Sequence, residues 1–397
     1  KCFDQDFKEK FDQNEYLTGF ANGVFDIRTG KVRDMKWDDY ITLTTNVEYH
    51  DIQSDDLNSK CNKTVKRFKD LQNVNSFLEK IFACDDDLYK YSMEVFGSCL
   101  YGRNVEEKIY SCIGVGGNGK SKLLSLLSET LGQYHVAGSK SLITKGGQLK
   151  DQEVMALKGK RLYEFGELSQ GSHLRDDFVK QLSGNDTLSA RQLYKSQENF
   201  KANGKMFYIT NHQPECDSTD GGLWRRFVVV PFNSTFKEQV DSDVPYCFEI
   251  DKNIGSYISN DWKEPFLWLL VQNATKYYNE RIVKKISLTP PKICNLVTEQ
   301  YRNNSDPFQQ WINQFVQKDC DGFIPLKKAW NSFKQSDGYN KKDKMSSLQS
   351  TLTQRYGTPK AEHTCQGKKY KTCYIGVSII IDDDDDDDNT KVTKCEL

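Results

Sequence analysis

Gly114, Val115, Gly116, Gly117, Asn118, Gly119, Lys120 and Ser121 follow the spacing G-x-x-x-x-G-K-[ST]. That spacing suits phosphate. Glycines let consecutive backbone N–H groups curl around an oxyanion with no Cβ in the way. A helix starting there adds its partial positive charge. Lys120 is expected to reach the β- and γ-phosphates of a nucleotide, and Ser121 to ligate Mg²⁺.

Groups suited to the same reaction follow. Leu162 to Phe165 is a short apolar run with Glu167 just past it. An acid at the C-terminal end of a strand in an open parallel sheet lies where ligands bind. Glu167 can hold Mg²⁺ through water or polarise an attacking water. Lys205 to Thr210 reads as a buried strand that delivers Asn211 beside the loop, able to orient that water. Arg225 and Arg226 stand before the apolar run Phe227 to Val230. Arginine's planar fork there suits contact with an anion. Arg191, Lys195, Lys201 and Lys205 surround a hairpin expected near Ser196 to Asn199. A basic hairpin beside a nucleotide site is a candidate grip on a DNA phosphate backbone.

These residues need a scaffold that alternates strands and helices. Ile109 to Ile113 reads as a buried strand, and Leu123, Leu124, Leu126, Leu127 and Leu131 recur at helical spacing after the loop. The alternation continues to about residue 235, the pattern of a parallel sheet in an α/β domain. Upstream, Asn22 to Ile27 and Thr29 to Val32 suggest short strands around a turn at Thr29–Gly30, and Ile41 to Tyr49 alternates like another strand. Residues 61–105 look helical, with a second helix starting at Asp85 to Asp87; their aromatic stripes read as core. Downstream, a helix is expected over Trp262 to Tyr278, and Pro290–Pro291 marks a boundary. Asp306–Pro307 opens a last unit with Phe308, Trp311, Ile312 and Phe315 on one helical face. Helices over Leu326 to Phe333 and Met345 to Leu352 precede a strand-like Tyr370 to Ile381. From Ile324 to Lys371 there are eleven Lys and Arg against three Asp and Glu. Short helices, a β wing and this charge read as a winged-helix-like DNA-binding domain.

Composition excludes several classes. The chain has 397 residues, enough for two or three domains, and 28% are charged. With a mean hydropathy of −0.70 it reads as soluble; there is no apolar leader, and no run approaches a membrane span. A chain that starts at Lys1 is expected to be part of something longer. Its 12 cysteines form no C-x-x-C pair and no Cys/His cluster. That pattern points to a reducing, intracellular setting without zinc or disulfides, and Cys99 and Cys112 read as core thiols. The net charge is −1, but Asp382 to Asp388 is an acidic run expected to be a disordered tail. Without those seven acids, 55 basic residues face 49 acidic ones, a net charge of +6.

The order of phosphate loop, strand-end Glu167, basic hairpin, strand-end Asn211 and arginine pair resembles the superfamily 3 helicases. It is most similar to the primase–helicases of large DNA viruses, phages and plasmids. Asn22 to Asp26, Ser183–Gly184 with Asp186, Ala190–Arg191 and Trp224 to Arg226 also match that pattern. The resemblance covers most of residues 15–380. It implies a AAA+ P-loop ATPase core that assembles into a homo-hexameric ring and moves 3′ to 5′ on single-stranded or forked DNA. It implies roles for Lys120, for Glu167 as the second-motif acid and for Asn211 as sensor. Arg226, with Arg225 as the alternative, is the implied arginine finger, and Lys195 with Arg191 and Lys201 the DNA-gripping hairpin. Many members carry two adjacent acids in the second motif. Here Gly166 precedes Glu167, and Glu164 falls on the opposite strand face.

The resulting expectation is a DNA helicase of viral or phage-type replication, in the host cytoplasm or nucleus if viral, and not secreted. An N-terminal segment spans 1–60, a helical collar 61–105, the ATPase core 106–300, a winged-helix-like domain 301–381 and an acidic tail 382–397. A primase domain is expected upstream. The alternative is a AAA+ initiator or loader that hydrolyses ATP without processive unwinding.

Overall fold

The computed structural model describes residues 10–194, 196–216, 221–336, 338–341 and 343–380. Lys195 and the acidic tail lie outside the described residues. The chain divides into two compact units, residues 1–299 and 300–397.

The first unit opens with an antiparallel meander of β1 (Leu17–Phe20), β2 (Gly23–Asp26) and β3 (Lys31–Arg33). Its turn is where the sequence suggests. Gly30 sits at φ +67°, and the Thr29 and Gly30 N–H groups both donate to the Asp26 carbonyl (3.1 and 2.9 Å). The strand expected over 41–49 does not form; Thr44 makes only an isolated bridge to Gly19. Asn46, at φ +57°, interrupts the extended backbone. Side chains take the N–H groups a ladder would need: Asp12 Oδ1 accepts from Thr42 (2.8 Å) and Leu43 (3.1 Å), and Gln133 Oε1 from Thr44 (2.8 Å).

Five parallel strands form the central sheet: β4 (Ile109–Ile113), β5 (His135–Gly138), β6 (Leu162–Phe165), β9 (Lys205–Thr210) and β10 (Phe227–Pro231). A separate hairpin, β7 (Thr187–Arg191) with β8 (Gln197–Lys201), lies between β6 and β9 in the chain. The sheet order is β10–β4–β9–β6–β5, parallel throughout. Near-continuous apolar runs suit strands covered on both faces; all of β9 and β10 is buried. A short parallel pair, β11 (Thr235–Lys237) and β12 (Cys247–Glu249), follows.

The helices of seven or more residues among the described residues of this unit are α1 (Asn62–Ile81), α2 (Asp86–Gly97), α3 (Lys120–Leu131), α4 (Asp176–Ser183), α5 (Ile254–Asn260) and α6 (Lys263–Tyr277), with α7 (Lys292–Ser305) at the boundary. Asp85 caps α2, accepting from Leu88 N at 2.9 Å, as its position before two further acids suggests. The five leucines of α3 are fully buried. Each contributes about 1.5–3 kcal/mol of burial, which anchors the helix that starts at the phosphate loop. Cys99 and Cys112 are buried, free thiols, as expected; burial pushes the Cys112 thiol up to about 12.

The second unit contains α8 (Pro307–Phe315), β13 (Val316–Pro325), α9 (Leu326–Gln335), α10 (Met345–Tyr356), β14 (Lys360–Cys365) and β15 (Lys368–Ile379). The strands form an antiparallel sheet of order β13–β15–β14. Asp306 caps α8, accepting from Phe308 and Gln309 N–H, and Phe308, Trp311, Phe333, Leu348 and Leu352 share its core.

Candidate active site

β4, β9 and β6 are neighbours in the parallel sheet, so their C-terminal ends open on one edge. β4 delivers the phosphate loop, β9 delivers Asn211 immediately after Thr210, and β6 delivers Glu167 two residues after Phe165. Three segments far apart in the chain thus meet as the sequence suggested.

Two of the loop's glycines, Gly114 and Gly119, stand where a side chain would be crowded. A Cβ on Gly114 would lie 2.0 Å from Asn118 Nδ2 and 2.7 Å from the Phe232 carbonyl. Gly119 sits at φ +81°, and a Cβ there would come 3.0 Å from Ile81 of α1. The chain after β10 braces the loop from behind. Asn118 Nδ2 donates to Phe232 O (3.1 Å), and Phe236 N to Gly117 O (2.9 Å).

Lys120 is 4% exposed, and its ammonium is folded over the loop. It donates to Gly114 O (2.5 Å), Asn118 Oδ1 (2.9 Å) and Asn211 Oδ1 (3.1 Å). Asn211 in turn donates through Nδ2 to Glu167 Oε1. One hydrogen-bonded chain therefore joins the lysine, the amide and the carboxylate. Burial lowers the Lys120 pKa, with Glu167 among the groups that oppose the shift.

These residues share a cavity of about 660 Å³, lined by the loop from Gly116 to Lys122, by Glu167 and by Asn211. Ser121 and Glu167 both line it, and their oxygens are hard donors that suit Mg²⁺. Glu164 does not line it; its carboxylate lies 3.0 Å from His135 Nε2 of the neighbouring strand. The far wall of the cavity comes from α1 and from the stretch that runs into α6. Of its residues only Phe77 falls on the apolar stripe that the sequence shows as core, and nothing in the local pattern of Asn73, Ser76, Lys80, Tyr257 or Trp262 connects them with the phosphate loop.

The arginine pair lies at the opposite edge of the sheet. β10 runs parallel to β4 with Phe227 level with Ile109. Arg225 and Arg226 therefore precede the end of β4 remote from the loop. Arg225 is exposed. Arg226 is held by its own chain, donating through Nη1 to Gly222 O (2.9 Å) and through Nη2 to Glu107 (3.3 Å).

On the hairpin, Leu188, Ala190 and Phe200 are buried while Arg191 and Lys201 are exposed. Arg191 approaches Asp151 at 3.6 Å. Leu193 and Tyr194 at the tip are 66% and 102% exposed, an apolar tip the basic pattern did not reveal. Lys205 does not belong to this set. It is 1% exposed at the start of β9, where Nζ donates to the carbonyls of Tyr101 and Arg103 at 2.8 Å each. Desolvation there lowers its pKa to about 7.

Two family models match the chain. One, described as D5 N terminal like, covers residues 2–83, and the other, a family of unknown function, covers residues 112–226. A candidate helicase of Acanthamoeba polyphaga mimivirus is 35% identical over 79% of this chain and 32% of its own length. A candidate helicase of Invertebrate iridescent virus 6 is 26% identical over 82% of this chain and 34% of its length. A candidate primase of African swine fever virus is 26% identical over 78% of this chain and 32% of its length. The chain thus spans about a third of the length of these relatives. No helix among the described residues is long and apolar enough to cross a membrane.

Proposed function

We propose that this chain, which belongs to the viral primase–helicase family, is an ATP-driven DNA motor segment of the AAA+ superfamily 3 type. The observation that carries this reading is the hydrogen-bonded chain Lys120–Asn211–Glu167 across one cavity at the C-terminal edge of a parallel sheet.

The loop and Lys120 bind the phosphates of ATP. Glu167, held by Asn211, accepts a proton from water as its oxygen attacks the γ-phosphorus and the bond to ADP breaks. Ser121 and Glu167 are the residues that would hold Mg²⁺, which supplies charge neutralisation between the β- and γ-phosphates. Most of the rate enhancement in such a site is positioning and electrostatics.

An arginine completes the site from a second copy of the chain. The five residues of β4 span about 16 Å and separate Arg225 and Arg226 from the loop of their own chain. That is farther than one side chain reaches. A head-to-tail contact that repeats until it closes gives a ring, here a homo-hexamer. The exposed Arg191 and Lys201, with Lys195 between them in sequence, grip the backbone of single-stranded DNA. The second unit, with adjacent helices α9 and α10 and the long hairpin β14–β15, fits a winged-helix-like DNA-binding domain. The direction of movement is 3′ to 5′, and a primase domain belongs to the longer protein.

Forked DNA tests this reading. The chain should release phosphate faster with single-stranded DNA present and separate a fork carrying a 3′ tail in an ATP-dependent manner. ATP turnover indifferent to DNA, without strand separation, would contradict the helicase reading.

A further inference from the structure

The phosphate loop accounts for only one end of its cavity. The opposite wall includes Asn73, Ser76, Phe77 and Lys80, one stripe of α1 at helical spacing, together with Tyr257 and Trp262. This wall is rigidly tied to the loop. Ile81, next in α1, packs where a Cβ on Gly119 would have to go. Lys80 O accepts a hydrogen bond from Ser234 Oγ at 2.5 Å, in the segment that braces the loop. Phe77 and Trp262 have ring centroids 5.2 Å apart, and Tyr257 stacks on Trp262 at 5.5 Å with an interplanar angle of 24°.

We propose that this wall is the nucleoside subsite and that α1 selects the base. The inference rests on the ATPase reading. A nucleotide whose phosphates occupy the loop has its ribose and base in the remaining part of the cavity. Tyr257, half-buried and backed by Trp262, offers a flat apolar surface for a base. Asn73 is exposed at the rim and carries a paired donor and acceptor, the combination that complements the adjacent amino group and ring nitrogen of adenine. Lys80 adds a positive charge between base and phosphates. A helix upstream of the ATPase core, outside the loop and both strand-end residues, thereby determines which triphosphate is used.

The test compares ATP, CTP and inorganic tripolyphosphate, which lacks a nucleoside, on the wild type, Asn73→Ala and Tyr257→Ala. Asn73→Ala should raise KM for ATP roughly tenfold and narrow the preference for ATP over CTP. It should leave kcat within a few-fold and inhibition by tripolyphosphate unchanged. Tyr257→Ala should weaken ATP in the same selective way, and Tyr257→Phe should restore it. If ATP is turned over but neither alanine variant changes its KM relative to tripolyphosphate inhibition, the nucleoside subsite lies elsewhere and the ATPase reading survives. A wild-type chain that binds neither ATP nor tripolyphosphate overturns both.

Discussion

Asn211 Oδ1 accepts a hydrogen bond from Lys120 Nζ at 3.1 Å, while its Nδ2 holds the Glu167 carboxylate. One amide thus sets the spacing between a buried cation and the acid that faces it across the nucleotide cavity. The orientation of Glu167 then depends on a side chain from a different strand.

Asn211→Ala should cost on the order of 10² in kcat, the scale of losing one positioned polar group. KM for ATP should change little, because the loop contacts remain. A kcat within twofold of wild type, from phosphate-release kinetics at saturating ATP, would mean Glu167 is positioned without Asn211.

The phosphate loop, β4 and α3 were legible because glycine spacing, an apolar run and a leucine repeat agree over adjacent residues. Glu167 and Asn211 were legible as polar residues past apolar runs. The α1 wall was not. Phe77 and Trp262 are 6% and 4% exposed, so they are core residues as well as cavity lining, and periodicity reports only the first role. Lys205 misled for a similar reason: its basic neighbours suggest a surface, while the β9 backbone turns it onto buried carbonyls. The strand expected over 41–49 failed because side chains of Asp12 and Gln133, distant in sequence, took the N–H groups.

Lys205 carries a pH signature. Its pKa of about 7 in the folded chain lies below the ordinary 10.5, so between these values the unfolded chain binds the extra proton. Stability therefore rises with pH across that window, by at most about 1.4 kcal/mol per pH unit from this group. Below it the full cost of the buried charge is present. In urea titrations at pH 6.5 and pH 9, the stability of Lys205→Met relative to wild type should fall as pH rises. A difference that does not vary with pH would contradict this assignment.

The hairpin should contribute phosphate contacts, not base contacts. Arg191→Ala and Lys201→Ala should each flatten the salt dependence of single-stranded DNA binding by roughly 0.7 per charge removed. Lys195→Ala should do the same and also uncouple ATP hydrolysis from strand separation. An unchanged slope with normal unwinding would return these residues to ordinary solvated surface.

The shared site predicts complementation. Arg225→Ala and Arg226→Ala are compared, and loss of the finger should cost on the order of 10³ in turnover with little change in nucleotide binding. Mixing the inactive arginine variant with Lys120→Ala should restore measurable turnover, since some interfaces pair an intact lysine with an intact arginine. Whichever arginine is complemented is the finger. Freely exchanging subunits that stay inactive would mean that hydrolysis needs every site intact or that the arginine acts within its own chain.

Phosphate release from ATP by the wild-type chain and by Lys120→Ala, each with its fold checked by circular dichroism, tests the nucleotide site itself. Lys120 donates to the loop and to Asn211, so its removal takes away the ammonium that faces the phosphates and breaks the chain that runs through Asn211 to Glu167. The folded variant should show no turnover above background, while the wild type turns over ATP and accelerates with single-stranded DNA. Turnover by Lys120→Ala within a few-fold of wild type would contradict the assignment of this cavity as the site of ATP hydrolysis.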